Sequence, residues 1–274
     1  MRRQVKMAKR GDTLIEVMLS ISIFALVAMI TINMMNSGIN TAQRTLEAEM
    51  ARNEIDAQAE ALRFVHNNYV AERQKLAKDS QFRAIWNKIT ARAARPSVTK
   101  EDLDDTVDSK QAFDINKMDS CEEPYTPSAH LDKFEAFVLN TRLILPELST
   151  GSFKYEGYSY DELIKHTVVY KGGGSLTDGV FQPPSLYPRL IYKQLKSSVD
   201  SAKDSNLDEG GAILNELKSA EGIWIDAVSN ADIKTKTGAD YYDFYIRTCW
   251  QAAGQRVPST ITTVVRLYNP EVME

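Results

Sequence analysis

Five cations and no acid occupy the first eleven residues (Arg2, Arg3, Lys6, Lys9 and Arg10), and from Val17 to Gln43 no side chain is ionisable. That order of parts leaves the chain few ways to fold. As a helix the uncharged run spans roughly 40 Å, against roughly 30 Å for the hydrocarbon core of a bilayer. The basic start predicts a cytoplasmic N-terminus and an exported C-terminal body. One carboxylate, Glu16, stands at the entrance of the apolar segment, just behind Lys9-Arg10-Gly11.

Three plain readings each account for part of this. A cleaved signal peptide has a basic start, an apolar core of about 7–15 residues and a small-x-small cleavage site. Here the apolar run continues too far, and the nearest small pair, Ala25 and Ala28, has the wrong spacing. A plain membrane anchor fits the length but leaves Glu16 unexplained, because a carboxylate near membrane depth costs about 2–3 kcal/mol unless it is paired or reaches the interface. Thr13 and Glu16 also match the capping box of a helix start, where the carboxylate satisfies a free backbone N–H.

The stretch Gly11-Asp12-Thr13-Leu14-Ile15-Glu16-Val17, with the leader before it and the apolar run behind it, resembles the N-terminus of type IV prepilins and the related pseudopilins. In that family a short basic leader ends in Gly and is cut before a Phe or Met, and a Thr-Leu-Ile-Glu-Val segment opens an apolar helix. The resemblance covers only the N-terminal stretch of the 274-residue chain. It implies cleavage between Gly11 and Asp12 by a membrane-embedded prepilin peptidase, and methylation of the new amine on Asp12. It also implies delivery through an inner-membrane pilus assembly platform into a helical filament of other pilin subunits. There Glu16 would pair with the N-terminal amine of a neighbour. A buried carboxylate and a buried ammonium are each costly alone and tolerable as a pair.

Two features depart from the family pattern. The first residue after the cut is Asp12, whose own carboxylate competes with Glu16 for the amine; this leaves methylation and major-subunit behaviour open. The family's helix-kinking proline is missing, since no Pro precedes Pro96. If the helix unwinds during assembly, residues 33–38 are the place: Asn33, Asn36, Ser37 and Gly38 have the poorest helix propensity.

The net charge is −4, and removing five leader cations leaves −9 on the rest. A body this acidic argues against general attraction to nucleic-acid phosphates. About 200 residues beyond the membrane helix are enough to bury a core. Cys121 and Cys249 lie on the expected exported side, where two cysteines form either a disulfide or a pair of buried thiols. The resemblance favours the disulfide, since pilin domains often carry one, and closing so long a loop stabilises by about 4–5 kcal/mol on the chain-entropy model.

Four segments follow: 1–11 as a cleaved leader, 12–43 as the transmembrane or filament-core half of the helix, 44–95 as an amphipathic extracellular helical part, and 96–274 as a globular domain. Ile39, Ala42, Leu46 and Met50, then Ile55, Ala59, Leu62, Val65 and Tyr69, keep helical spacing and predict one helix from Thr13 to about Lys78. Asp79-Ser80 can cap a second helix that aligns Phe82, Ile85, Trp86 and Ile89 and ends before Pro96. The acidic run Glu101 to Asp108 reads as a solvated loop, and Phe113-Asp114-Ile115 as a short strand. Leu131 to Leu145 suits helix or strand, with Pro146 ending it. Residues 150–188 read as turns rich in Gly, Tyr and Pro, whose Tyr155, Tyr158, Tyr160, Tyr170 and Tyr187 either form an adhesive surface or pack the domain. Gly211 to Ala220 reads as a helix. Ile223–Val228, Tyr241–Trp250 and Thr260–Tyr268 read as strands of an antiparallel meander. The fold class is α+β, a long N-terminal helix packed on a C-terminal antiparallel sheet, and this is also the pilin layout.

No catalytic constellation is visible. His66, His130 and His166 lack metal-ligand spacing, and Gly172-Gly173-Gly174 has no Lys-Ser/Thr behind it to make a phosphate loop. Asp204, Asn206, Asp208 and Glu216 resemble a calcium loop, but Gly210 and Glu216 each fall one position late, so a solvated acidic loop is the better reading. The expectation is a non-enzymatic subunit without cofactors, a minor pilin or pseudopilin held as a single-pass membrane protein before entering an extracellular filament. Alternatives are a pilus-borne adhesin or DNA-uptake subunit, and an unprocessed single-pass membrane protein with an exported domain.

Overall fold

The computed structural model describes residues 12–74, 81–96, 112–113, 121, 135–144, 160–171, 181–196, 213–230, 238–252 and 254–272. The elements, in chain order, are α1 (Asp12–Gln74), α2 (Gln81–Thr90), β1 (Arg95–Pro96), β2 (Ala112–Phe113), β3 (Phe137–Leu139), α3 (Thr141–Ile144), α4 (Tyr160–Thr167), β4 (Val168–Tyr170), β5 (Phe181–Gln182), β6 (Arg189–Lys196), β7 (Ile213–Glu221), β8 (Ile223–Ser229), β9 (Tyr241–Trp250) and β10 (Ser259–Tyr268). The chain divides into two units, Met1–Glu47 and Ala48–Glu274. The architecture is α+β.

In the second unit, five strands run antiparallel in the order β10-β9-β8-β3-β4. Alternation along each strand sends one set of side chains toward α1 and the other set away from it. Phe137, Ile225 and Ile246 stand in register across β3, β8 and β9, and Phe244 pairs with Val265 of β10. These residues form one core with Ile55, Leu62, Val65 and Tyr69 of α1. The three-and-four spacing read in the sequence is the stripe that faces the sheet. Helix α2 adds Phe82, Ile85, Trp86 and Ile89, all buried. Trp86 meets Tyr242 and Phe244 edge-on, with ring centroids 5.8 and 5.9 Å apart. Each such side chain contributes about 1.5–3 kcal/mol through burial.

One polar residue sits inside the apolar stripe of α1. Gln58 is fully buried; its Nε2 donates to the Leu139 carbonyl at 2.9 Å and its Oε1 accepts from the Leu139 N–H at 2.9 Å. The reason is local. Pairing of β3 with β8 is confined to Phe137, so Leu139 has backbone groups that no strand reaches. Gln58 supplies both bonds. Gln58→Ala leaves two buried backbone groups without partners and is expected to cost about 2–4 kcal/mol, read as a lower urea midpoint with unchanged slope.

Several sequence expectations need correction. The helix expected from Gly211 to Ala220 is not formed over the described part, 213–220. Ile213–Glu221 is the middle strand of a three-stranded sheet, order β5-β7-β6. Glu216, Leu217, Lys218 and Ala220 favour helix by propensity, but the antiparallel ladder to β6, the pairing of Ala220 and Glu221 with β5, and burial of Leu217 and Ala220 outweigh a preference of a few tenths of a kcal/mol per residue. The ambiguous 131–145 segment resolves into both alternatives in succession, β3 and then the single turn α3. The turn-rich 150–188 region contains helix α4 and strands β4 and β5. Phe113 is in a strand, paired in parallel with Arg95–Pro96. Lys78, the Asp79-Ser80 cap, the 101–108 run and Gly172–Gly174 lie outside the described residues.

Candidate functional site

From Leu14 to Met35 the apolar side chains of α1 are exposed on every side of the helix: Phe24 is 74%, Ile15 69% and Val17 57% accessible. A helix that is apolar all round and unburied is not a core helix. It is long and apolar enough to cross a membrane. Its few hydroxyls fit the same solvent. Ser20 donates to the Glu16 carbonyl, Ser22 to Met18 and Thr31 to Val27, each at 2.8 Å. Every one of these polar groups is satisfied within the helix, which is the condition hydrocarbon imposes.

Asp12 opens α1, so Thr13 is the second helical residue, two positions after the place of a capping residue; Gly11 lies outside the described residues. Glu16 is exposed in the first turns, and its carboxylate has no partner among the described residues. Residues 33–38 are helical, and a Cβ on Gly38 would meet nothing within 4 Å. No neighbour among the described residues requires a glycine there.

Cys121 and Cys249 form a disulfide, with Cα atoms 5.7 Å apart. Cys249, on β9, is buried beside Ala136 and Trp224. Of the calcium-loop candidates, Asp204, Asn206 and Asp208 lie outside the described residues. Glu216 stands on β7, with Oε1 3.8 Å from His166 Nδ1 of α4. Among the described residues no three His, Cys, Asp or Glu converge as metal ligands. Of the tyrosines, Tyr170 is in the core and its hydroxyl donates to the Lys88 carbonyl, Tyr187 is half-buried, Tyr160 opens α4, and Tyr155 and Tyr158 lie outside the described residues.

The sequence reading missed a buried ion pair. Ile225 and Ala227 of β8 face the helices, so Trp224 and Asp226 point to the opposite side. There Arg247 of β9 donates from Nη2 to Asp226 Oδ2 at 2.9 Å, and its guanidinium lies 4.9 Å from the centre of the Trp224 ring. The two side chains are 5% and 0% exposed. Burial pushes the Asp226 carboxyl up to about 6, against the pull of Arg247 and then Lys171. The signal in the sequence is an acid inside Ile-Trp-Ile-Asp-Ala-Val, a strand with no polar face. Lys88 is perturbed as well: burial, then Arg92 and Lys165, lowers it to about 8. Its ammonium donates to the Ile164 and Lys165 carbonyls at 2.9 and 3.3 Å, closing the C-terminal end of α4, where a cation is favoured.

Comparison with family models, curated proteins and solved structures gives no match for this chain.

Proposed function

We propose that this chain is a structural, non-catalytic subunit of a type IV pilus-like filament, a minor pilin or pseudopilin. Prepilin peptidase cuts it between Gly11 and Asp12. It is held in the membrane by Leu14 to Met35 and assembled with other pilin subunits through α1. The observation that carries the reading is the juxtaposition at the N-terminus. A basic leader and Gly11 are followed by a helix apolar on all sides, with Glu16 exposed at its entrance and without a partner among the described residues. A lone carboxylate at that depth needs a cation from outside the chain, and the amine of a processed neighbour supplies one.

The test is the intact mass and N-terminal sequence of the protein recovered from its own membrane or from shed filaments. The expected chain begins at Asp12, with or without one added methyl. Gly11→Val is expected to leave the leader attached and the protein in the membrane, with no filament incorporation. A native chain that still begins at Met1 refutes the pilin reading and leaves a single-pass anchor with an exported domain.

A further inference from the structure

We propose that the end of the folded domain bearing the turn between β9 and β10 rests on the surface of the lipid bilayer from which α1 emerges. Val257 and Leu186 supply its apolar contacts, and Arg256 its cationic one. The starting point is connectivity. Ala48 and Ala51 of α1 pack with Trp250, Ala252 and Ile261, which lie at the two ends of that turn. Ala48 follows Gln43, the last residue of the uncharged run, by five positions, about 8 Å of helix. Along the chain, the part of α1 that packs on this end of the sheet therefore follows the uncharged run directly.

The same end carries apolar side chains that nothing in the described structure covers. Val257 is 73% exposed and Leu186 48% exposed. Leu186 is placed there by Ser185, which bridges to Trp250 and accepts the Gln251 N–H at 2.8 Å. Elsewhere among the described residues of this unit the large exposed apolar side chains are Met50, beside Ala51, and Val264, Tyr268 and Val272. Charge points the same way. In a chain with 37 acids, neither 183–189 nor 250–259 contains one, whereas exposed Arg256 stands next to Val257. The two loops, with exposed apolar side chains, a cation and no carboxylate of their own, match the headgroup boundary of an anionic bilayer, while the adjoining turn of α1 carries exposed Glu49. The inference rests on α1 crossing a membrane and not on the filament reading.

The full chain is reconstituted at low density in phosphatidylcholine vesicles containing phosphatidylglycerol. A solvent-sensitive fluorophore is placed on Val257→Cys, on Leu186→Cys and, for comparison, on Val264→Cys of the outer sheet face, with the native disulfide intact. Lipids carrying a nitroxide just below the headgroup are expected to quench positions 257 and 186 at least about threefold more strongly than position 264. Arg256→Glu is expected to reduce that quenching when phosphatidylglycerol is present. Equal quenching at all three positions overturns the proposal. So does lipid-independent quenching between labelled copies that fades as the protein is diluted in lipid, because it assigns the tip to a second copy of the chain.

Discussion

Gly222→Ala is expected to lower the stability of the folded domain by about 3–5 kcal/mol, a large share of the 5–15 kcal/mol of a typical domain. Gly222 is the single residue between β7 and β8, where the chain leaves the three-stranded sheet and enters the five-stranded one. Its φ of 60° is left-handed, which costs a residue with a Cβ about 1–2 kcal/mol. The greater part of the loss is steric. A Cβ here would lie less than 3.0 Å from the Cys249 carbonyl oxygen, a backbone atom with no rotamer to give way. Nor can the strand retreat cheaply. Cys249 donates its N–H to the Gly222 carbonyl at 2.7 Å, Gly222 donates to Gln182 at 3.2 Å, and Cys249 is tied to Cys121. Gly254 is the control: its φ is 74° but a Cβ there meets nothing within 4 Å, so Gly254→Ala should cost only the about 1–2 kcal/mol of a left-handed backbone. Urea unfolding of the full chain in mild detergent, followed by tryptophan fluorescence, reads both. Equal losses would show that the close approach to Cys249 is not the cause.

Arg247→Ala is expected to destabilise the domain by about 3–5 kcal/mol at pH 7, because it leaves the Asp226 carboxylate buried without its main counter-charge. The loss should shrink at pH 5. Burial raises Asp226 above its ordinary value of 3.8 to about 6 even with Arg247 present, and removing the guanidinium raises it further. A carboxyl whose folded pKa is raised binds its proton more tightly when folded. Its contribution to stability is therefore greatest below the unfolded value and declines as pH rises through the folded value. In the unaltered protein that window runs from about 4 to about 6. Asp226→Asn should flatten the slope of stability across it, while leaving Arg247 buried without its anion. A loss for Arg247→Ala that is the same at pH 7 and pH 5 would mean that Asp226 does not titrate in this range.

Helices α1 and α2 are legible in the sequence because their signals are local. Charge asymmetry, an uncharged run and helical spacing in Ile55, Ala59, Leu62, Val65 and Tyr69 need no partner to be recognised, since membrane insertion and a buried helix face follow from the order of residues along one element. The three C-terminal strands were equally plain, because strong β-formers alternate between Gly-, Asp- and Pro-bearing separators. The tertiary structure alone decided the rest. It turned 213–221 into a strand, since the antiparallel ladder to β6 and the burial of Leu217 exceed the small helix preference of Glu216, Leu217 and Lys218. It gave Gln58 the backbone of Leu139, a residue 81 positions away, and it set Asp226 beside Arg247 on a face closed to water. Spacing along the chain carries no record of such pairings, because they depend on sheet register, and register is set only when the whole core has packed.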